Sequence, residues 1–170
     1  MFADPVKNLK AFGLKEDMIV ADLGAGTGFY SLGAAEMVPK GKVYAVEVQK
    51  DFLDKIKSKV AEAHLSNVET LWGDVEKIGG TKIKDGVVDA AIASNILFQV
   101  EDRDKFIEET RRILKQDGQV LLIDWSTSLG HIEKIIPKSA AREMLERKGF
   151  TWERDIDAGV NHYGMILRKV

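Results

Sequence analysis

At 170 residues, 45% of them hydrophobic and 31% charged, the chain fits a single soluble globular domain. A chain of this length buries about 70% of its unfolded surface, so its stability needs neither disulfide nor metal. Twenty-five Lys and Arg stand against 27 Asp and Glu, a net charge of −2 that offers no electrostatic footprint for nucleic acid. The absence of cysteine excludes disulfides, thiolate metal sites and cysteine nucleophiles together, and His64, His131 and His162 show no metal-ligand spacing, so no metal is expected. No apolar run approaches the roughly 18 residues of a membrane helix, and no signal-peptide pattern opens the chain; the expectation is a cytoplasmic protein without a membrane partner.

In chain order, Asp4-Pro5 opens a short helix to Phe12, with Asp4 as N-cap, Pro5 in the first helical position and Gly13 as its end. Met18 to Leu23 reads as a strand. Phe29 to Val38 reads as a helix that stops at Pro39-Lys40-Gly41, and Lys42 to Val48 as a second strand. Residues 50–63 place Phe52, Ile56, Val60 and Ala63 on one helical face. Val68 to Trp72 is a third strand, and Val87 to Ala93 is a nearly continuous apolar run of the kind buried on both faces of a sheet. Arg103 to Leu114 carries Phe106, Ile107, Thr110, Ile113 and Leu114 on one helical face, with Gly118 as its stop, before a fifth strand from Gln119 to Trp125. A helix from Ser139, as N-cap, to Lys148 precedes two strands with no helix between them, Phe150 to Ile156 and Tyr163 to Lys169. Alternating β and α followed by a terminal hairpin implies a mostly parallel sheet with one antiparallel strand.

The chemistry concentrates in Asp22-Leu23-Gly24-Ala25-Gly26-Thr27-Gly28, a buried strand running into three alternate glycines and then a helix. In a doubly wound sheet this turn lines the crevice at the carboxyl ends of the strands. The dinucleotide fingerprint wants G-x-G-x-x-G, and its third glycine position is Phe29 here, which argues against a nicotinamide-dependent oxidoreductase. Glu47 ends the second strand about twenty residues on, where a carboxylate can accept ribose hydroxyls. Asp74 follows the third strand, where a carboxylate can accept from an adenine amino group.

Together these residues resemble the class I S-adenosylmethionine-dependent methyltransferases over essentially the whole chain. The glycine turn looks like that family's first motif, Glu47 its ribose acid and Asp74 its adenine acid. Asp89-Ala90-Ala91-Ile92-Ala93-Ser94 is similar to its fourth-strand motif, and the terminal hairpin to its reversed last strand. The stretches Leu9 to Gly28 and Ile107 to Asp124 look most like the small-molecule, quinone-biosynthesis C-methyltransferases. The resemblance implies one minimal domain over 1–170, a Rossmann-like three-layer α/β sandwich with seven strands in the order 3-2-1-4-5-7-6, strand 7 antiparallel. It implies S-adenosylmethionine as cofactor, S-adenosylhomocysteine as product, and a cofactor site of Asp22, Gly24, Ala25, Gly26, Thr27, Gly28, Glu47, Val48, Asp74, Val75, Ser94 and Asn95. Asp22 would hold the methionine amino group, Val48 would lie against the adenine, and Asn95 would sit beside the transferred methyl group.

The acceptor is less legible. Ser94-Asn95-Ile96-Leu97-Phe98 lacks the acidic-or-Asn, Pro, Pro, aromatic motif of amino-methylating relatives. The lack of cysteine sets the chain apart from the cytosine C5 and arsenite enzymes. A small-molecule acceptor is therefore expected, with Tyr30, Phe98, Trp125, His131 and Tyr163 as candidate substrate contacts and Asn95, Asp124 and His162 as catalytic candidates. Only Met1 to Pro5 precede the first helix, which leads to the expectation of an open substrate side without an N-terminal lid, closed by a second copy or other partner subunit, by a large substrate, or not at all. A non-catalytic cofactor-binding module is the alternative from another class.

Overall fold

A computed structural model describes residues 3–128, 132 and 134–170. In chain order its elements are α1 (Pro5–Phe12), β1 (Ile19–Leu23), α2 (Phe29–Met37), β2 (Lys42–Glu47), α3 (Lys50–Glu62), β3 (Val68–Trp72), β4 (Val88–Ser94), α4 (Arg103–Ile113), β5 (Leu114–Trp125), α5 (Lys138–Arg147), β6 (Phe150–Ile156) and β7 (His162–Lys169). The strands form one seven-stranded sheet in the order β3-β2-β1-β4-β5-β7-β6. β1 through β5 pair in parallel, and β7 runs antiparallel to both β5 and β6. This is the Rossmann-like order that the sequence leads one to expect.

Alternation along the strands divides the core in two. Val20, Ala90, Ile92, Leu121 and Ile123 pack with Leu9 and Phe12 of α1 and Ala34 and Ala35 of α2. Ala21, Leu23, Ala91, Ala93 and Leu122 pack on the other face with Phe106 and Ile107 of α4 and Ala141 and Leu145 of α5. α1 is held as its sequence dictates: the Asp4 carboxylate accepts from the amides of Val6 and Lys7 at 3.0 and 3.2 Å, and Gly13 closes the helix in the left-handed region.

Beyond one-residue shifts at several element ends, two boundaries and one helix face differ from expectation. α5 starts at Lys138, with Pro137 rather than Ser139 as its cap; the first turn closes on the Pro137 carbonyl, which accepts from Ala141 N at 2.9 Å. α4 ends at Ile113, and Gly118 lies inside β5 instead of stopping a helix, because Leu114 is already in register with Val88. The left-handed residue of that stretch is Asp117, at φ 62°. On α3 the buried residues are Leu53 and Ile56, while Ala63 is an exposed C-cap, so the apolar stripe is rotated toward the glycine turn, where Ile56 packs against Gly28.

Candidate cofactor and acceptor clefts

The glycine turn owes its shape to three left-handed residues, Gly24 at φ 71°, Gly26 at 55° and Gly28 at 88°, a region costly for any residue with a Cβ. Gly24 and Ala25 both donate their amides to the Val46 carbonyl at 3.0 Å, tying the turn to β2. A Cβ on Gly24 would overlap Ile96, and one on Gly28 would come within 2.9 Å of Ile56 Cγ1. Gly26 differs: nothing lies within 4 Å of where its Cβ would be. Its bare backbone faces open space, as a turn that admits a ligand requires.

That space divides into two adjoining clefts that share Gly24, Gly26 and Gln99. The first, of about 240 Å³, is lined by Glu47, Val48, Asp74 and Val75 among others. The Glu47 carboxylate is buried, accepting Gly26 N at 2.9 Å on Oε2 and Val48 N and Gln49 N at 2.9 and 3.0 Å on Oε1. Three of the roughly four lone-pair sites of a carboxylate are thus filled, leaving one on Oε2 for a hydroxyl. Asp74 accepts Glu76 N at 2.9 Å and pairs with Lys77 at 3.1 Å. Val48 is 57% exposed and presents an apolar face to the cleft.

The second cleft, of about 480 Å³, is lined by Asp22, Phe29, Tyr30, Ser94 and Asn95, with Ala3 and Pro5 from the start of the chain. Asp22 is 2% exposed and accepts from Ser31 Oγ at 2.6 Å. Its pKa is pushed up to about 7, first by burial and then by the neighbouring Glu47 charge, against the lowering effect of Ser31. Asn95 is held at φ 53°, and its buried Oδ1 has no hydrogen-bond partner. Asparagine adopts this left-handed backbone readily, and its unpartnered oxygen on the cleft wall is available to a ligand. Thr27 stands at the turn's outer edge, its carbonyl receiving Lys59 Nζ at 2.8 Å, while the same ammonium lies 4.3 Å from the Phe29 ring centroid.

The remaining expected residues fall elsewhere. Asp124 is fully buried at the end of β5, accepting the amides of Phe98 and Trp125 at 3.2 and 2.8 Å. Burial raises its pKa to about 6, with these amides pulling the other way. Tyr163 is in register with Asp124, packs within the α4/α5-side core and leaves its hydroxyl unpartnered. Phe98 is half-buried in the turn that Asp124 caps. Trp125 and His162 are register partners whose rings stack 4.1 Å apart; His162 is 6% exposed and both its ring nitrogens lack partners. None of these five is among the described residues lining the second cleft. His131 lies outside the described residues. Sequence reasoning missed Ser31, Asn8, Phe29 and Gln99. Ser31 and Asn8 are polar residues buried among apolar helix positions, and that interruption of the apolar pattern is the only signal they leave. Among the described residues no cluster of His, Asp and Glu is gathered that would hold a metal ion, and no helix is long and apolar enough to cross a membrane.

A family profile described as a methyltransferase domain matches residues 14–163. An arsenite methyltransferase of Halobacterium salinarum is 30% identical over 119 residues, covering 69% of this chain and 30% of the relative. The ubiquinone/menaquinone biosynthesis C-methyltransferase UbiE of Citrifermentans bemidjiense is 28% identical over 121 residues, covering 70% and 50%. The chain therefore matches half or less of the length of these curated relatives. The crystal structure of a SAM-dependent methyltransferase from Aquifex aeolicus superposes with a TM-score of 0.89 at 33% identity, covering 99% of this chain and 91% of that one. The [4+2]-cyclase SpnF shares the fold, with a TM-score of 0.79 at 17% identity over 92% of this chain and 76% of that one.

Proposed function

We propose that this chain, which belongs to the class I S-adenosylmethionine-dependent methyltransferase family, transfers a methyl group to a small organic acceptor. The observation that carries the reading is the open Gly26 backbone between two adjoining clefts, one ending in Glu47 and the other in Asp22 and Asn95. The cofactor supplies an activated methyl group on a sulfonium, so the protein's task is alignment, which is worth about 7–11 kcal/mol when good.

In this reading the first cleft takes the nucleoside. The turn from Gly24 through Ala25, Gly26 and Thr27 to Gly28 lets the backbone approach it, and the free lone pair of Glu47 accepts a ribose hydroxyl. Val48 packs against the base, and Asp74 and Val75 close its far edge. The second cleft takes the amino-acid end at Asp22 and Ser94 and the acceptor beyond Asn95. Its volume of about 480 Å³ suits a small molecule. Asp124, which accepts the Phe98 and Trp125 amides and is not among the described residues lining the second cleft, serves the Phe98 turn in this reading. Arsenite is a poor fit as acceptor, since soft, thiophilic centres are held by thiolates and this chain carries no cysteine. Phe29 at the cleft's rim is 68% exposed, which supports the proposal that a second copy, a partner subunit or the acceptor itself closes that side.

Calorimetry with S-adenosylmethionine, S-adenosylhomocysteine and NADH tests the donor assignment: the first two should bind in the micromolar range, and stronger NADH binding would overturn it. Glu47→Ala should weaken S-adenosylhomocysteine by about 1–3 kcal/mol, the cost of leaving its partners unpaired. Turnover against a panel of small acceptors then separates an enzyme from a binding module.

A further inference from the structure

Of the six buried side-chain polar atoms without partners among the described residues, Asn8 Oδ1 and Asn95 Oδ1 bear on the second cleft. Asn95 lines it directly. Asn8, on α1, is fully buried and reaches it through Tyr30: Asn8 Nδ2 donates to Tyr30 Oη at 2.9 Å. Ser94, at the end of β4, lines the same cleft as Tyr30. α1 and α2 thus meet at a phenol hydroxyl on a residue of the cleft wall.

The protons of this group can be counted. A side-chain amide NH₂ only donates, so Asn8 occupies a lone pair of Tyr30 and leaves the phenol proton free to be given away. Among the described residues no other hydrogen bond uses that proton, so it remains available to a third partner. Burial, reinforced by the charges of Asp22 and Asp4, raises the phenol's pKa against the opposing hydrogen bond from Asn8, so the proton is held at neutral pH. Next to this donor stands the carboxylate of Asp22, with Ser31 adjacent to Tyr30 in the chain. A carboxylate that attracts an ammonium group and a hydroxyl donor that attracts a carboxylate, side by side, are complementary to an α-amino acid zwitterion.

We infer that Asn8 is a positioning residue that orients the Tyr30 hydroxyl, so that it donates one hydrogen bond to the carboxylate of the cofactor's amino-acid end. The inference rests on the cofactor reading above. It explains why α1 carries a fully buried asparagine whose amide NH₂ is turned to Tyr30.

The test compares two probes on the intact protein by calorimetry: S-adenosylhomocysteine, and 5′-methylthioadenosine, which shares the nucleoside and lacks the amino-acid end. Tyr30→Phe removes the phenol while keeping the ring. Asn8→Leu removes the donating NH₂ that fixes the phenol's orientation and introduces no buried charge. Each should lower S-adenosylhomocysteine affinity about ten- to hundredfold, the loss expected for a hydrogen bond to a charged group, while 5′-methylthioadenosine affinity stays within about twofold. Equal weakening of both probes, or no weakening of either, in a folded Tyr30→Phe protein overturns the inference. Should neither probe bind the unaltered chain, the cofactor reading itself fails, and the inference with it.

Discussion

Asp22 shows how a single residue's environment couples binding to pH. Burial and the Glu47 charge lift its pKa from the ordinary 3.8 to about 7, the Ser31 hydroxyl opposing them. At pH 6 the folded protein therefore holds a proton there, and an incoming ammonium group must expel it. Affinity for S-adenosylhomocysteine should fall about tenfold per pH unit below 7 and level off above it. The stability effect has a definite sign. Between about pH 4 and 7 the folded state binds more protons at Asp22 than the unfolded state does, so this residue's contribution to stability declines as pH rises through that window. Asp22→Asn keeps an acceptor for Ser31 and removes the buried charge. It should raise the unfolding temperature at pH 8 and flatten the pH dependence of binding, both readable by thermal melts and calorimetry. A variant less stable than the parent at pH 8 would contradict the burial argument. Such a trade of stability for binding is expected where a charge is kept in a cleft without a permanent partner.

At the scale of elements, the glycine turn and the acids at the strand ends were legible in the sequence because each rests on a fixed chemical requirement. A tight strand-to-helix turn needs left-handed residues, and in a parallel sheet a strand ends at the crevice. The cap of α5 and the junction of α4 with β5 were not legible. Ser139 is a favourable cap by type, yet the Pro137 carbonyl closes the first turn two residues earlier. Gly118 looks like a helix stop, yet the pairing of Leu114 with Val88 draws the chain into the sheet first. At α4 a tertiary contact overrode a local preference; at α5 one local preference gave way to another, the backbone bond to Pro137. Asn8 and Ser31 were missed for a different reason: a lone polar residue on a helix has no periodicity, and its meaning depends on Tyr30 and Asp22 across the packing interface. The turn itself yields a crossed prediction. Gly26→Ala meets only its positive φ, a strain of about 1–2 kcal/mol, but puts a methyl group into the space shared by both clefts. It should lower S-adenosylhomocysteine affinity more than tenfold at modest cost in stability. Gly28→Ala adds an overlap with Ile56 to its strain and should lose more stability and less affinity. Urea unfolding alongside calorimetry separates the two, and an identical pattern in both variants would mean that Gly26 does not face the ligand.

For the whole molecule, the open question is what keeps the segment 73–87 in place, since it carries Asp74 and spans from β3 to β4 without a helix or strand of its own. The answer lies on α4. Glu109 is fully buried, and its carboxylate accepts Gly79 N at 2.8 Å, Thr81 N at 3.2 Å and Thr81 Oγ at 2.6 Å from that segment. Arg112, one turn along the same helix, donates to Glu109 at 2.7 and 2.8 Å, to the Ile83 carbonyl at 2.8 Å and to Asp85 at 2.5 Å. Burial alone would raise the Glu109 pKa; Arg112, Thr81 and the Gly79 and Thr81 amides together bring it below the usual carboxylate value. Its contribution to stability is accordingly present at neutral pH and lost as pH falls through that lowered value. Removing the cation alone leaves a buried charge uncompensated, so Arg112→Met should cost about 3–5 kcal/mol in urea unfolding at pH 7. The double variant Glu109→Gln/Arg112→Met no longer carries that charge and should recover part of the loss, giving a coupling well above the few tenths expected of independent sites. Because the segment also positions Asp74, Arg112→Met should weaken 5′-methylthioadenosine along with S-adenosylhomocysteine by a similar factor. That distinguishes damage at the nucleoside end from the selective loss expected at Tyr30. Additive energies in the double variant would mean that Glu109 is compensated from elsewhere and that α4 does not hold the segment.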